Sequence, residues 1–197
     1  KYNSSGTWQW TKQLGTSSRD HARGVATDSS GNVYVTGDTG GGLDGTNAGY
    51  HDIFVVKYNS SGTWQWTKQL GTSSNDYARG VATDSSGNVY VTGYTEGGLD
   101  GNTSSGGHDL FLVKYYDNGT KQWTKQLGTS ASDSASGVAT DSSGNFYVTG
   151  DTRGGLDGNT YLGGGSYCHL RTICGDIFLV KYNSSGTKQW TKQLGTS

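Results

Sequence analysis

The residues in this chain that could do chemistry are mostly aspartates, and they recur. DSSGN places Asp28, Asp84 and Asp141, LDG places Asp44, Asp100 and Asp157, and a third series, Asp52, Asp109 and Asp176, opens the apolar runs DIF, DLF and DIF. Carboxylates gathered in glycine-rich loops are hard oxygen ligands, and calcium takes about 6–8 oxygens. The metal reading is one structural Ca²⁺ per repeat. It uses Asp44, Asp100 or Asp157, a following amide (Asn102, Asn159), and the strand-opening Asp52, Asp109 or Asp176. The competing reading has the aspartates capping turns through local side-chain-to-backbone hydrogen bonds. DSSGN lacks the further carboxylates and closing Glu of an EF-hand loop, so turn chemistry is favoured and no other cofactor is expected.

Nucleophilic chemistry finds less support. Serines fill the turns, and of His21, His51, His108 and His169 only His51 and His108 occupy matching places, with Gly175 at the third. No nucleophile elbow accompanies them, so the chain reads as non-catalytic. Both cysteines, Cys168 and Cys174, lie in a longer excursion, NTYLGGGSYCHLRTICGDIFLV, where the preceding repeat has NTSSGGHDLFLV. In an exported protein this pair is expected to form a disulfide closing a small loop. A metal site from Cys168, His169 and Cys174 would lack a fourth ligand and the usual spacing. Tyr167, His169, Leu170 and Arg171 on that loop are the candidate recognition residues, since insertions on one face of a repeat often mark the binding face.

Trp10, Trp66, Trp123 and Trp190 recur at one position. Flat indole faces could stack on sugars, but the regular recurrence favours packing between repeats, with each indole N–H finding a partner. Trp8 and Trp64, two residues earlier, become Lys121 and Lys188 in later copies. A site that accepts either residue reads as exposed rim.

Composition narrows the classes further. The chain has 197 residues, 34 Gly, no Pro, no Met and a net charge of −1. No basic run supports nucleic-acid binding, and no apolar stretch approaches the roughly 18 residues that would suggest a membrane span. No charged-then-apolar export signal is present. With Lys at position 1, the chain reads as a processed product or a fragment.

A self-comparison explains the recurrences. Lys1, Lys57, Lys114 and Lys181 begin equivalent segments, and residues 1–17 match 181–197 except at Trp8 and Lys188. Each unit predicts four short strands, exemplified by GVATD (Gly80–Asp84), NVYVTGYT (Asn88–Thr95), HDLFLVKYY (His108–Tyr116) and TKQWTKQLG (Thr120–Gly128). β-Branched and aromatic residues fill the runs, while Gly, Asn, Asp and Ser fill the turns. No segment carries a capped 3.6-residue apolar period, so the chain is all-β. Four strands repeated every 50-odd residues, with continuous apolar runs such as LFLV, point to blades buried on both faces.

The motif DSSGNVYVTG, followed by GGLDG and DIF or DLF, resembles the bacterial SBBP repeat, a family named for seven-bladed β-propellers and similar in its first hairpin to NHL repeats. The resemblance implies a propeller fold and a secreted or surface setting, and it implies no catalytic residues. The expected organisation is a β-propeller-like array of four-stranded antiparallel blades. Residues 1–21 hold the spare outer strand of a preceding blade (Thr7–Leu14), and 22–77, 78–134 and 135–197 are three full blades, the last with the cysteine-bearing insertion. Three blades are too few to close an ordinary ring. Unmatched blade faces would remain at both ends and invite other copies of the chain, or further blades of a longer one. The expected role is an extracellular or cell-surface structural, self-assembling or adhesive module. The alternative is a module that binds glycans or a protein receptor through its loop faces.

Overall fold

The computed structural model describes residues 1–163 and 175–195. They form three four-stranded antiparallel sheets, each built from strands in sequence order. The first contains β1 (Asp20–Thr27), β2 (Val33–Thr39), β3 (Asp52–Tyr58) and β4 (Trp64–Leu70). The second contains β5 (Asp76–Thr83), β6 (Val89–Thr95), β7 (Asp109–Tyr115) and β8 (Lys121–Leu127). The third contains β9 (Asp133–Thr140), β10 (Phe146–Thr152), β11 (Asp176–Tyr182) and β12 (Lys188–Leu194). Among the described residues the only helical pieces are two three-residue 3₁₀ turns at the LDG motifs, Leu99–Gly101 and Leu156–Gly158. The array is all-β and its sheets are propeller-like blades.

Hairpin turns within a blade follow from local chemistry. At DSSGN, Asp28 Oδ1 accepts from the backbone N–H of Ser30 and of Asn32, and Gly31 takes the positive φ that closes the turn. The same bonds recur at Asp84 and Asp141. These carboxylates are turn caps, the role favoured over the metal reading.

Successive blades pack face to face. Tyr34, Ile53 and Val55 of the first blade bury against Val89, Val91, Phe111 and Val113 of the second. Tyr90, Leu110 and Leu112 of the second repeat this against Phe146, Val148, Phe178 and Val180 of the third. β3 and β7 are therefore buried on both sides, which is why LFLV in β7 shows no alternation, whereas β11 alternates between buried and exposed residues. Inner strands β1, β5 and β9 approach closely at glycines: a β-carbon on Gly80 would stand 3.1 Å from Gly137 Cα.

Two expectations shift. The inner strand of the second blade begins at Asp76, not Gly80, and contains a β-bulge between Ala78 and Gly80. The segment Thr7–Leu14 forms no strand; only an isolated bridge joins Tyr2 to Trp8. A strand needs a ladder partner, and the third strand beside which this outer strand would lie is not among the described residues. Its side chains nonetheless sit where those of an outer strand sit, as the tryptophans show.

Candidate functional site

Each aspartate series is held by its own partner. Asp52 Oδ2 accepts from Ala48 N at 2.8 Å and from Gln69 Nε2 at 2.9 Å. Asp109 repeats this with Ser105 N and Gln126, and Asp176 with Leu162 N and Gln193. All three are buried and tie the loop before the third strand to the outer strand. Asp100 and Asp157 instead ion-pair with Lys121 and Lys188, while Asp44 lies 3.8 Å from Lys68. The Lys188 hydrogen bond holds the Asp157 carboxyl below the usual range. Turn and strand-opening aspartates thus have separate protein partners. Among the described residues no group of three or more His, Cys, Asp or Glu is arranged to hold a metal ion.

A fourth series was not singled out from the sequence. Asp20, Asp76 and Asp133 each accept from the backbone N–H and hydroxyl of a threonine four residues earlier, Thr16, Thr72 and Thr129. Each also accepts from a second-strand threonine, Thr39, Thr95 or Thr152. These carboxylates fasten the outgoing outer segment to the incoming inner strand. The signal was present as T-x-x-x-D in every copy.

The recurring tryptophans lie between blades. Trp66 Nε1 donates to Asp117 O at 2.9 Å, in the turn between β7 and β8 of the next blade, and its ring lies against Gly119. Trp123 lies against Gly186, and Trp10 lies against Gly62 and donates to Ser60 O at 3.2 Å. Lys57 likewise ion-pairs with Asp117, and Lys1 Nζ donates to Ser60 O. The leading segment thus contacts the first blade as β4 contacts the second. Among the described residues no further blade covers Trp190, which is partly exposed. Trp8 and Trp64 are exposed, on the rim.

Cys168, Cys174, Tyr167, His169, Leu170 and Arg171 lie outside the described residues.

Two hollows mark the surface of the described residues. One, of about 280 Å³ on the leading face of the first blade, is bounded by Leu14, Val35, Leu43, Phe54, Val56 and Tyr58 among others. The other is a cleft of about 680 Å³ spanning all three blades, lined chiefly by Arg23, Arg79, Tyr94, His108, Asp151 and Arg153. The bulges build this cleft. Pairing skips Arg23 in β1, Arg79 in β5 and Ser136 in β9, and an extra residue in one strand re-aims its side chain. Beside it runs a ladder of rings, His51–Tyr77–Tyr94–His108, with centroids 5.3, 5.1 and 4.5 Å apart. Burial pushes the Tyr77 phenol above its ordinary value.

The chain is 26% identical over 227 residues to an uncharacterized WD repeat-containing protein, L264, of Acanthamoeba polyphaga mimivirus, covering 94% of this chain and 16% of that protein. It is 29% identical over 192 residues to the regulatory protein FlaEY of Caulobacter vibrioides, covering 89% of this chain and 20% of that protein. The chain therefore spans a fifth or less of the length of these curated relatives. The profile of the SBBP β-propeller repeat matches residues 9–44, 65–100 and 122–157. Each match runs from an outer strand, or for the first match from the leading segment, through the next blade's first hairpin to its LDG turn, and together they cover more than half the sequence: the chain belongs to the SBBP β-propeller repeat family.

Proposed function

We propose that this β-propeller repeat chain is a non-catalytic scaffold of the cell surface or extracellular space, whose two end faces receive further blades from other copies of itself. The observation that carries the reading is the contrast between equivalent residues. Val25 is 68% exposed, whereas Val81 and Val138 pack into the two blade interfaces. At the other end Ile177 is 60% exposed where its counterparts Ile53 and Leu110 are buried, and Leu194 is 69% exposed where its counterparts Leu70 and Leu127 pack against the blade interfaces. Faces of one kind are satisfied twice inside the chain and left open once at each end. Burying an aliphatic side chain contributes about 1.5–3 kcal/mol, so several such residues make a blade face a strong association surface.

The hollow on the leading face supports the same reading, because its walls Val35, Phe54, Val56 and Tyr58 correspond to residues that Ile53 and Val55 cover in the second blade. The cysteine pair fits an oxidising compartment. Analytical ultracentrifugation of the chain across a wide concentration range tests the proposal. Concentration-dependent growth into rings or filaments, visible by electron microscopy, is expected. A compact monomer at every concentration overturns it.

A further inference from the structure

The inter-blade cleft carries chemistry that a scaffold does not use. Its positions are where the repeats disagree. The bulge residue is Arg23, Arg79 or Ser136, the residue after the second-strand glycine is Asp38, Tyr94 or Asp151, and two positions on stand Gly40, Glu96 or Arg153. Neighbouring positions read His21, Tyr77 or Ser134, and His51, His108 or Gly175. The blades are otherwise near copies, so the variation is concentrated on one face.

The substitutions leave positive charge unanswered. In the first blade Arg23 Nε donates to Asp38 at 2.6 Å, and that buried carboxylate also meets His21 at 3.0 Å. In the second blade the carboxylate is replaced by Tyr94. Arg79 donates to the Tyr94 hydroxyl at 3.2 Å and lies over its ring, 5.2 Å from the centroid. Among the described residues neither Arg79 nor Arg153 has a carboxylate within ion-pair distance. Asp151 is the lining carboxylate, and Ser134 and Ser136 add hydroxyls. A guanidinium seated on an aromatic ring is held in place while its outward N–H groups stay available, the geometry suited to gripping an oxyanion with paired hydrogen bonds.

We propose that this cleft binds an oxyanion, the carboxylate or phosphate group of a small ligand, through Arg79 and Arg153, with Ser134 and Ser136 as further donors. Every lining residue belongs to one chain, so the site is independent of end-to-end assembly.

Calorimetric titration at low ionic strength with inorganic phosphate, and separately with citrate, tests the site. Saturable binding of at least one anion is expected, and its identity distinguishes tetrahedral from planar oxyanions. Arg79→Gln with Arg153→Gln together are expected to weaken it roughly 10- to 100-fold, as for loss of charge-assisted hydrogen bonds. Arg79→Lys is expected to fall between, and Arg19→Gln, outside the cleft, to leave affinity unchanged. In the unaltered protein, Arg79 and Arg153 side-chain Nε–H resonances should shift on titration, a readout that needs no variant. Heats matching sodium chloride at equal ionic strength for both anions, or a double variant that binds as the native chain does, would overturn the proposal.

Discussion

Gly93 lies directly beneath the bulge in β5: a β-carbon there would collide with the carbonyl oxygen of Tyr77. Gly37 meets His21 O and Gly150 meets Ser134 O in the same way. The bulge that turns Arg79 toward the cleft therefore depends on a missing side chain on the neighbouring strand. Gly93→Ala is expected to cost about 1–3 kcal/mol, the usual range for overpacking, because backbone rather than a flexible side chain blocks the methyl. Urea unfolding measures the loss. At urea concentrations where the variant is still folded, Arg79 should be displaced and oxyanion binding should weaken with it.

A second pair of glycines separates close approach from simple flexibility. A β-carbon on Gly80 would stand 3.1 Å from Gly137 Cα and 3.3 Å from Val138 N, whereas a β-carbon on Gly137 would meet only Thr149 Cγ2, at 3.6 Å. Gly80→Ala should destabilise the chain by about 1 kcal/mol or more, by forcing β5 and β9 apart. Gly137→Ala should be neutral or slightly stabilising, since it removes backbone freedom from the unfolded chain. Equal effects in paired thermal melts would contradict a tight contact between inner strands.

Two of the threonine-bound aspartates, Asp20 and Asp76, respond to pH in opposite directions. At Asp20, burial raises the carboxyl, but hydrogen bonds from Thr16 and Thr39 outweigh it and hold the group below its ordinary value. At Asp76, enclosed between two blades, burial outweighs similar bonds and raises it. For Asp20 the stabilisation is complete above the unfolded pKa, about 3.9, and is lost as pH falls through the lower folded value. For Asp76 it is complete below about 3.9 and is lost as pH rises through the higher folded value. Asp20→Asn should therefore flatten the acid limb of a stability–pH profile, while Asp76→Asn should flatten the slope just above the ordinary carboxylate range. On the alkaline side burial pushes Tyr182 up to about 12. Its contribution is whole below about 10 and fades as pH rises through that folded value, so it should ionise together with unfolding when followed by ultraviolet absorbance.

Strand positions were legible because apolar runs and Gly–Asn–Asp turns alternate so regularly. The first half of each inner strand was not legible. DYAR and DSAS are too polar to read as strand, and what holds them is a buried carboxylate bonded to Thr72 and Thr95, or to Thr129 and Thr152, instead of apolar burial. Asp100 and Asp157 look like loop ligands in one dimension. Their partners Lys121 and Lys188 stand one hairpin away, at the very position where Trp8 and Trp64 marked a tolerant rim. The cleft was hidden for a related reason: a bulge is set by strand pairing, and Arg79 and Arg153 come together only once adjacent blades are stacked.

The end faces permit a sharper test than association alone. A head-to-tail contact joins two different surfaces, so each can be blocked separately. Val25→Asp places a charge on the leading face and Leu179→Asp places one on the trailing face, both at positions exposed in the isolated chain and so tolerable for folding. Either variant by itself should remain monomeric, since every contact needs one face of each kind and one kind is spoiled. A mixture of the two should form dimers that grow no further: the intact trailing face of the Val25 variant meets the intact leading face of the Leu179 variant, and both remaining faces carry the charge. Sedimentation of the mixture at micromolar concentration would show a single dimer boundary. If the mixture stays monomeric while the native chain polymerises, the contact is not between these faces; if each variant alone still polymerises, the blade ends are not the joint.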